Sequence, residues 1–403
     1  MFRFWLREIW GPQWDRERRA LLLNHYWSYL RSSPVPARHL PPPDPVAIAA
    51  QRAFSDRYRQ RIDMVQGHAT TTRRVRLSFR PIGKNLRLVA TAVRHHVDQG
   101  WATEIAPDGP PTEVAALAAK GRDWNPWLWS RPGPSDDAAG RSNAADGWRT
   151  YFSRPSRNGR AGSPVMVPAP RWIGTGSGAF TAALLERALE LAAATRYVFT
   201  PSGDLDALLA ESRRASGWPA AGVPVLGLHV RRGDAASTEP DATRLSNRLS
   251  FPMVEYLEAA DTLCTTYGIR HIFLATESRV EVERAAALRP QYTFLTINHD
   301  RTLFPEIAVN GQYIEELALE HPERARALAL SAIVDLHRFT ECRAFVGAFN
   351  SEFSVLAWLL AVGGQGHLVP HISLSEPAAG IRWHPFDALL NLRNNCPLEL
   401  YHW

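Results

Sequence analysis

Lysine is nearly absent from this chain. Of the 46 basic side chains only two, Lys84 and Lys120, are lysines, so the other 44 (46 − 2) are arginines. The formal net charge is +6 and the sequence pI is about 9.5. Arginine binds phosphate through a planar fork of donors, whereas lysine acts as a point charge. The arginine excess favours phosphorylated ligands, nucleic acid or acidic partners, or it reflects only the base composition of the genome.

Cysteines and long apolar runs are also scarce. The three cysteines, Cys264, Cys342 and Cys396, are far apart and odd in number, so they predict neither a disulfide framework nor a zinc site. A reducing compartment fits this usage, and we expect a cytoplasmic protein. The first residues are apolar but interrupted by charge, unlike a signal peptide. No run of about 18 uncharged apolar residues occurs, so we expect no transmembrane segment.

Length and local composition predict two lobes with an addition at each end. A chain of 403 residues is long enough for two domains of ordinary size. Helical spacing over 14–31 and 46–66, with a proline-rich linker between them, predicts a helical N-terminal extension. These helices can also pair between protomers, so the formation of an oligomer is an alternative to packing on the N-terminal lobe. The expected divisions are the extension (1–70), an N-terminal lobe (71–195), a C-terminal lobe (196–375) and a last segment (376–403) that packs back on a lobe.

The N-terminal lobe begins with a pattern typical of a Rossmann-like unit. Apolar and polar residues alternate over 74–80, which predicts a strand. The segment 81–85 contains Gly83 and Asn85 and predicts a turn, and residues 86–99 predict a helix. Strand, glycine turn and helix together open a βαβ unit.

The second half of the chain alternates short apolar runs with helical patterns. This alternation predicts a parallel sheet with helices on both faces. The fold class is therefore α/β, with two Rossmann-like lobes and an extra helical N-terminal segment. Ligands of such sheets bind at the carboxyl ends of the strands. The predicted strands are 223–230, 272–276, 293–296 and 344–348, and the predicted helices include 178–195, 203–215, 252–267, 280–288, 324–339 and 352–360.

Polar side chains follow three of these predicted strands. Arg231 and Arg232 follow the first, Glu277 the second, and Ser351 and Glu352 the last. Because strand ends of a parallel sheet meet at one edge, we expect these residues to converge on one crevice. Two adjacent arginines can fork onto a diphosphate with charge-assisted hydrogen bonds of about 1.5–3 kcal/mol each. The alternative is that both arginines are solvated charges of a loop.

Three acidic residues of the second half of the chain have two interpretations each. Glu239 lies eight residues after Arg231 and can accept a proton from a hydroxyl group, or it is an ordinary loop glutamate. Asp204 and Asp206 match a metal-binding Asp-x-Asp pair, but they also open a predicted helix. Acidic residues are favoured in the first turn of a helix by its dipole. We therefore expect Asp204 and Asp206 to start a helix and not to hold a metal.

The segment after strand 223–230 resembles a family signature. Residues 229–239 read His-Val-Arg-Arg-Gly-Asp-Ala-Ala-Ser-Thr-Glu. This is similar to the His-Val-Arg-Arg-Thr-Asp-Lys signature, closed by Thr-Glu, of the α-1,6-fucosyltransferases, which include the bacterial nodulation fucosyltransferases. The resemblance covers about 196–360 and is weaker over 75–100. Further segments that agree in order are Phe251-Pro252-Met253-Val254-Glu255-Tyr256, Phe273-Leu274-Ala275-Thr276-Glu277, Asp335-Leu336-His337 and Phe349-Asn350-Ser351-Glu352.

The resemblance implies a GT-B fold and an inverting transfer from GDP-fucose to a glycan-type acceptor, without a metal or other cofactor. It implies that Arg231 and Arg232 hold the diphosphate and help it leave, and that Glu239 is the general base. Gly83 and Asn85 are similar to the family's N-lobe glycine turn. The implied donor-binding residues also include His229 and Asp335 at the guanine, Ser351 and Glu352 over the phosphates, and Asp234 and Glu277.

Three positions depart from the family pattern and keep other functions open. Ala235 stands where the family has lysine, Glu352 where it has glutamine, and Gly233 where it has threonine. A carboxylate beside a diphosphate is repulsive unless an arginine neutralises it. A GDP-sugar other than fucose, or a non-catalytic relative that binds a nucleotide or glycan, is therefore the alternative. A nucleic-acid-binding protein is the third hypothesis, but the positive charge is scattered, so we expect no nucleic-acid partner.

Overall fold

The computed structural model describes residues 45–75, 82–105, 148, 151–154, 177–232, 236–237, 248–249, 251–297, 322–348 and 351–374. The predicted helix over 14–31 and the predicted C-terminal segment 376–403 lie outside these residues. The described part is a mixed α/β fold with parallel sheets. The two-lobe arrangement and the domain boundaries stay predictions.

The N-terminal part of the described chain is a helix, strand, helix and strand. Helix α1 spans Pro45–His68 and strand β1 spans Thr72–Val75. Helix α2 spans Ile82–Asp98 and strand β2 spans Ala102–Ile105. β1 and β2 pair in parallel with α2 as the connection between them. The βαβ unit predicted here is therefore confirmed.

The predicted turn at Gly83 and Asn85 is wrong, because both residues lie inside α2. The helix buries one complete face, including Leu86, Val89 and Val93, each with no exposed surface. Turn preferences of single residues are weak and packing overrides them. The backbone N–H groups of a first helical turn also lack intrahelical partners, so glycine and asparagine are tolerated there.

The larger sheet has five parallel strands in the order β7-β6-β3-β8-β9. Most of its strand residues are apolar and buried, as expected for a sheet that is covered on both faces. A short parallel pair, β4 with β5, lies apart from it. The strands span Val225–His229 (β3), Ala236–Ser237 (β4), Arg248–Leu249 (β5), His271–Ala275 (β6), Thr293–Leu295 (β7), Ala344–Gly347 (β8) and His371–Ser373 (β9).

Helices cover both faces of the larger sheet and produce two cores. Alternate β3 residues face opposite ways, so Leu226 and Leu228 belong to one core while Val225 belongs to the other. Gly227 lies where a Cβ would come 2.6 Å from the Phe339 ring, so a side chain has no room there. The helices are α3 (Ser177–Val198), α4 (Gly203–Ala215), α5 (Met253–Tyr267), α6 (Arg279–Leu288), α7 (Pro322–Arg338), a 3-10 turn (Phe339–Glu341) and α8 (Glu352–Gln365).

Helix α3 joins the N-terminal elements to the larger sheet. It packs against α1, α2 and α8. Gly363 of α8 allows this approach, because a Cβ there would lie 2.6 Å from the backbone oxygen of Ala192. Arg94 of α2 and Glu190 of α3 form a buried ion pair at 2.9 Å. Within the described ranges, no helix has the length and apolar content that a membrane span requires.

Candidate functional site

The carboxyl ends of β6, β3 and β8 lie side by side, since these strands are neighbours in the sheet. The N–H of Val230 donates to the backbone oxygen of Ala275 at 3.0 Å and extends the β3–β6 pairing by one residue. Arg231 therefore leaves the sheet beside Glu277, and Ser351 follows the end of β8. This edge of the sheet is the place that the sequence predicted for a ligand.

Glu277 contacts both arginines of the segment that follows β3. Its Oε1 accepts the backbone N–H of Arg232 at 2.7 Å and Nη1 of Arg231 at 3.4 Å. The Glu277 side chain is 10% exposed and that of Arg231 is 25% exposed. One carboxylate thus fixes the backbone of the segment and lies against one of its guanidinium groups.

The Arg232 side chain is held by α5 and α6. Its Nε donates to Oε1 of Glu281 at 3.0 Å, and its Nη1 donates to the backbone oxygen of Arg231 at 3.3 Å. Its guanidinium carbon lies 5.9 Å from the centre of the buried Tyr256 ring. A cation in this position is attracted by the face of the ring. Burial also raises the pKa of Tyr256, so its phenol stays neutral.

His229 is the last residue of β3 and is buried against the start of α8. Its Nδ1 lies 2.6 Å from Oγ of Ser354, and its ring stacks on Phe353 with centroids 4.6 Å apart. The Ser354 hydroxyl also accepts the N–H of Ala348 at 3.3 Å, so it links the ends of β3 and β8. Burial, and then the nearby charge of Arg231, lowers the pKa of His229 to about 3. The imidazole is therefore neutral at physiological pH.

The other predicted donor-binding residues of the described chain lie on α7 and at the start of α8. Ser351 is buried and precedes α8; its N–H donates to the backbone oxygen of Ala348 at 2.9 Å. Glu352 is the first residue of α8. Asp335 is buried on α7, which packs against α8. The structure therefore brings Arg231, Arg232 and Glu277 into contact, whereas Asp335 is on a separate helix.

Some predicted site residues lie outside the described chain. These are Asp234 and Glu239, so their predicted roles stay predictions. Asp204 and Asp206 do start a helix as predicted: they lie in the first turn of α4, where Oγ of Ser202 accepts the N–H of Leu205 at 3.3 Å. In the described residues, no group of three or more histidine, cysteine or acidic side chains is arranged to hold a metal ion.

Sequence reasoning missed three residues of this edge: Tyr256, Glu281 and Ser354. Only the position of Glu281 in the sequence could have indicated that it belongs to this edge. Glu281 lies four residues after Glu277, at the start of the predicted helix 280–288, and the strand end had already singled out Glu277. Tyr256 ends the segment 251–256 that resembles the family, but nothing in that segment marked its ring as part of the site, and Ser354 had only a helical position.

Comparisons with known proteins give distant structural likenesses. No protein-family model and no curated protein matches the chain. The chain is similar to NodZ α-1,6-fucosyltransferase co-crystallised with GDP, at 16% identity over 73% of this chain and 92% of that chain, with a TM-score of 0.33. The structure of fucosyltransferase NodZ from Bradyrhizobium gives the same identity and TM-score. POFUT1 in complex with GDP is similar at 11% identity over 76% of this chain and 99% of that chain, with a TM-score of 0.34.

Proposed function

We propose that this protein is an inverting glycosyltransferase that transfers a sugar, fucose in the first instance, from a GDP-sugar to a hydroxyl of a glycan-type acceptor. The observation that carries the proposal is the arginine pair. Arg231 and Arg232 leave the carboxyl end of the central strand β3, and carboxylates that follow β6 hold them there. Two fixed guanidinium groups at a strand end suit a diphosphate.

The proposed reaction is a single displacement at the anomeric carbon. Glu239 takes the proton of the acceptor hydroxyl while that oxygen attacks, and the bond from the anomeric carbon to the diphosphate breaks. The electron pair of that bond leaves with GDP, whose developing charge Arg231 and Arg232 stabilise. The reaction needs no metal in this proposal, because the guanidinium groups supply the positive charge.

The other site residues have supporting roles in the proposal. His229 and Asp335 contact the guanine, and Ser351 and Glu352 lie over the phosphates. Asp234 and Glu277 complete the donor-binding set. His229 is neutral, and because its Nδ1 already contacts Ser354, Nε2 is the ring nitrogen that would face the base in this proposal.

The first test is calorimetric binding of GDP, UDP, ADP and CMP to the wild-type protein and to Arg232→Ala. We expect GDP to bind best, and Arg232→Ala to lose about tenfold to a hundredfold in affinity, since a charge-assisted hydrogen bond contributes about 1.5–3 kcal/mol. Arg279→Ala is the matched control, because Arg279 is 77% exposed and its one ion pair with a described residue is with Glu283 of the same helix. It should bind GDP like the wild type.

Three results would count against the proposal. Binding of another nucleotide in preference to GDP would mean that the donor sugar is linked to that nucleotide and not to GDP. Equal GDP affinity in Arg232→Ala and Arg279→Ala would remove Arg232 from the phosphate contacts. Failure of the folded wild type to bind any of the four nucleotides would remove the nucleotide-sugar proposal altogether. The melting temperature of each variant shows whether it is folded in the assay.

A non-catalytic nucleotide- or glycan-binding relative is the second candidate. Its support is in the sequence, where Ala235 replaces the family's lysine and Glu352 replaces its glutamine. Slow hydrolysis of GDP-fucose in the absence of an acceptor separates the two functions. Hydrolysis that depends on Glu239 supports the glycosyltransferase. Tight binding of GDP-fucose without any turnover supports the non-catalytic binding protein.

A further inference from the structure

Glu281 is a buried acidic residue at the candidate site, and the proposed mechanism leaves it without a role. It lies in the first turn of α6, where its backbone N–H donates to Oγ of Ser278 at 3.3 Å. Its side chain is 8% exposed. A carboxylate in a first turn is stabilised by the helix dipole.

Glu281 binds the same guanidinium that the proposed function places on the diphosphate. Its Oε1 accepts Nε of Arg232 at 3.0 Å and Nη1 of Arg284 at 3.2 Å. Among the described residues, no donor reaches its buried Oε2. The carboxylate therefore holds Arg232 through one oxygen, which Arg284 shares.

We propose that Glu281 is a positioning residue, which holds the Arg232 guanidinium at the strand end in the orientation that a diphosphate needs. The inference rests on the proposed function, because it supplies the ligand. Glu281 fixes Arg232 on one side, Tyr256 faces it at 5.9 Å, and the Arg231 carbonyl takes a third contact. A guanidinium held in this way loses little conformational freedom when the ligand binds, and the ligand is bound more tightly.

A double-mutant cycle tests this role. Glu281→Gln removes the charge but keeps the size and one acceptor oxygen. Glu283→Gln is the matched control, since Glu283 is on the same helix, is 64% exposed and pairs with Arg279 alone among the described residues. Both changes are made in the wild type and in Arg232→Ala, and GDP affinity is measured for every folded variant.

We expect Glu281→Gln to weaken GDP binding about tenfold, which is about 1.4 kcal/mol, and Glu283→Gln to leave it unchanged. In the Arg232→Ala background, the Glu281 change should alter affinity less than about twofold, because a residue that acts through Arg232 has no effect once Arg232 is gone. Equal weakening in both backgrounds would mean that Glu281 only supports the fold. No weakening in the wild-type background would equally overturn the proposal.

A ligand-free measurement separates this inference from the proposed function. The Nε–H proton of Arg232, identified in nitrogen-15 spectra by its loss in Arg232→Ala, should exchange slowly with water because it is bonded to Glu281. Glu281→Gln should accelerate that exchange, and Glu283→Gln should not. If no nucleotide binds but this pattern holds, the proposed function fails while Glu281 still orients Arg232. Unchanged exchange in Glu281→Gln overturns the positioning role, even where GDP binds.

Discussion

Acidification should destabilise this protein through His229. The ring is 4% exposed, stacks on Phe353 and shares a hydrogen bond with Ser354. Burial and the charge of Arg231 lower its pKa from 6.5 to about 3 in the folded protein. In the unfolded chain the ring is in water, and its pKa returns to about 6.5.

The sign and size of the effect follow from these two pKa values. As pH falls below the unfolded value, the unfolded state binds the proton first, so the free energy of unfolding decreases. The stabilisation is present above about pH 6.5 and is lost progressively down to about pH 3. For one histidine the loss is about 1 kcal/mol at about pH 5.5 and about 3 kcal/mol at about pH 4.5. Burial also lowers the pKa of His337 to about 3. Protonation of His337 in the unfolded chain therefore further decreases the free energy of unfolding at acidic pH.

Urea titrations at about pH 7.5 and about pH 5.5 measure this loss as a difference in unfolding free energy. His229→Gln should lower the wild-type difference by about 1 kcal/mol. The exposed His68→Gln is the control for a histidine substitution as such. An equal difference in wild type and His229→Gln would refute the reasoning. Proton spectra give a second measurement, since a His229 ring that titrates near its ordinary pKa in the folded protein would contradict its burial.

Two further predictions concern α8 and the proposed base. A Cβ at Gly364 would lie 2.0 Å from the backbone oxygen of Thr340, so Gly364→Ala should cost at least about 3 kcal/mol in urea titrations. Gly67 has nothing within 4 Å of such a Cβ, so Gly67→Ala should be neutral or stabilising by up to about 1 kcal/mol; equal effects of the two would contradict the packing. Glu239→Gln should retain GDP affinity and lose at least about a hundredfold in turnover, as followed by GDP release with an acceptor, whereas Glu283→Gln should retain both. Equal turnover would exclude Glu239 as the base.

The sheet that carries the site could be predicted from sequence because its strands are short, buried apolar runs between helical patterns. Residues 223–230 predicted β3, and the structure places that strand at Val225–His229. Residues 272–276 and 344–348 predicted β6 and β8 equally well. Once these strands are placed in parallel, the position of Arg231 beside Glu277 follows from the geometry of the sheet.

The errors have local causes. Strand β9, His371–Ser373, was not predicted because it has three residues and polar side chains at both ends. The turn predicted at Gly83 and Asn85 is the start of α2, because the buried face of that helix outweighs their turn preference. The contact between Arg232 and Glu281 joins residues 49 positions apart, and no pattern along the sequence predicts that pairing.

The two adjacent arginines pair with different carboxylates, and this affects how the arginine substitutions are interpreted. Arg231 lies 3.4 Å from Glu277, an acceptor that already takes a shorter bond from the Arg232 backbone. Arg232 is paired with the buried Glu281, and breaking a buried pair from one side costs about 3–5 kcal/mol. The loss of GDP-binding free energy in Arg232→Ala must therefore be compared with the loss of unfolding free energy in the same variant. Only a loss of binding free energy that local unfolding does not explain measures the phosphate contact.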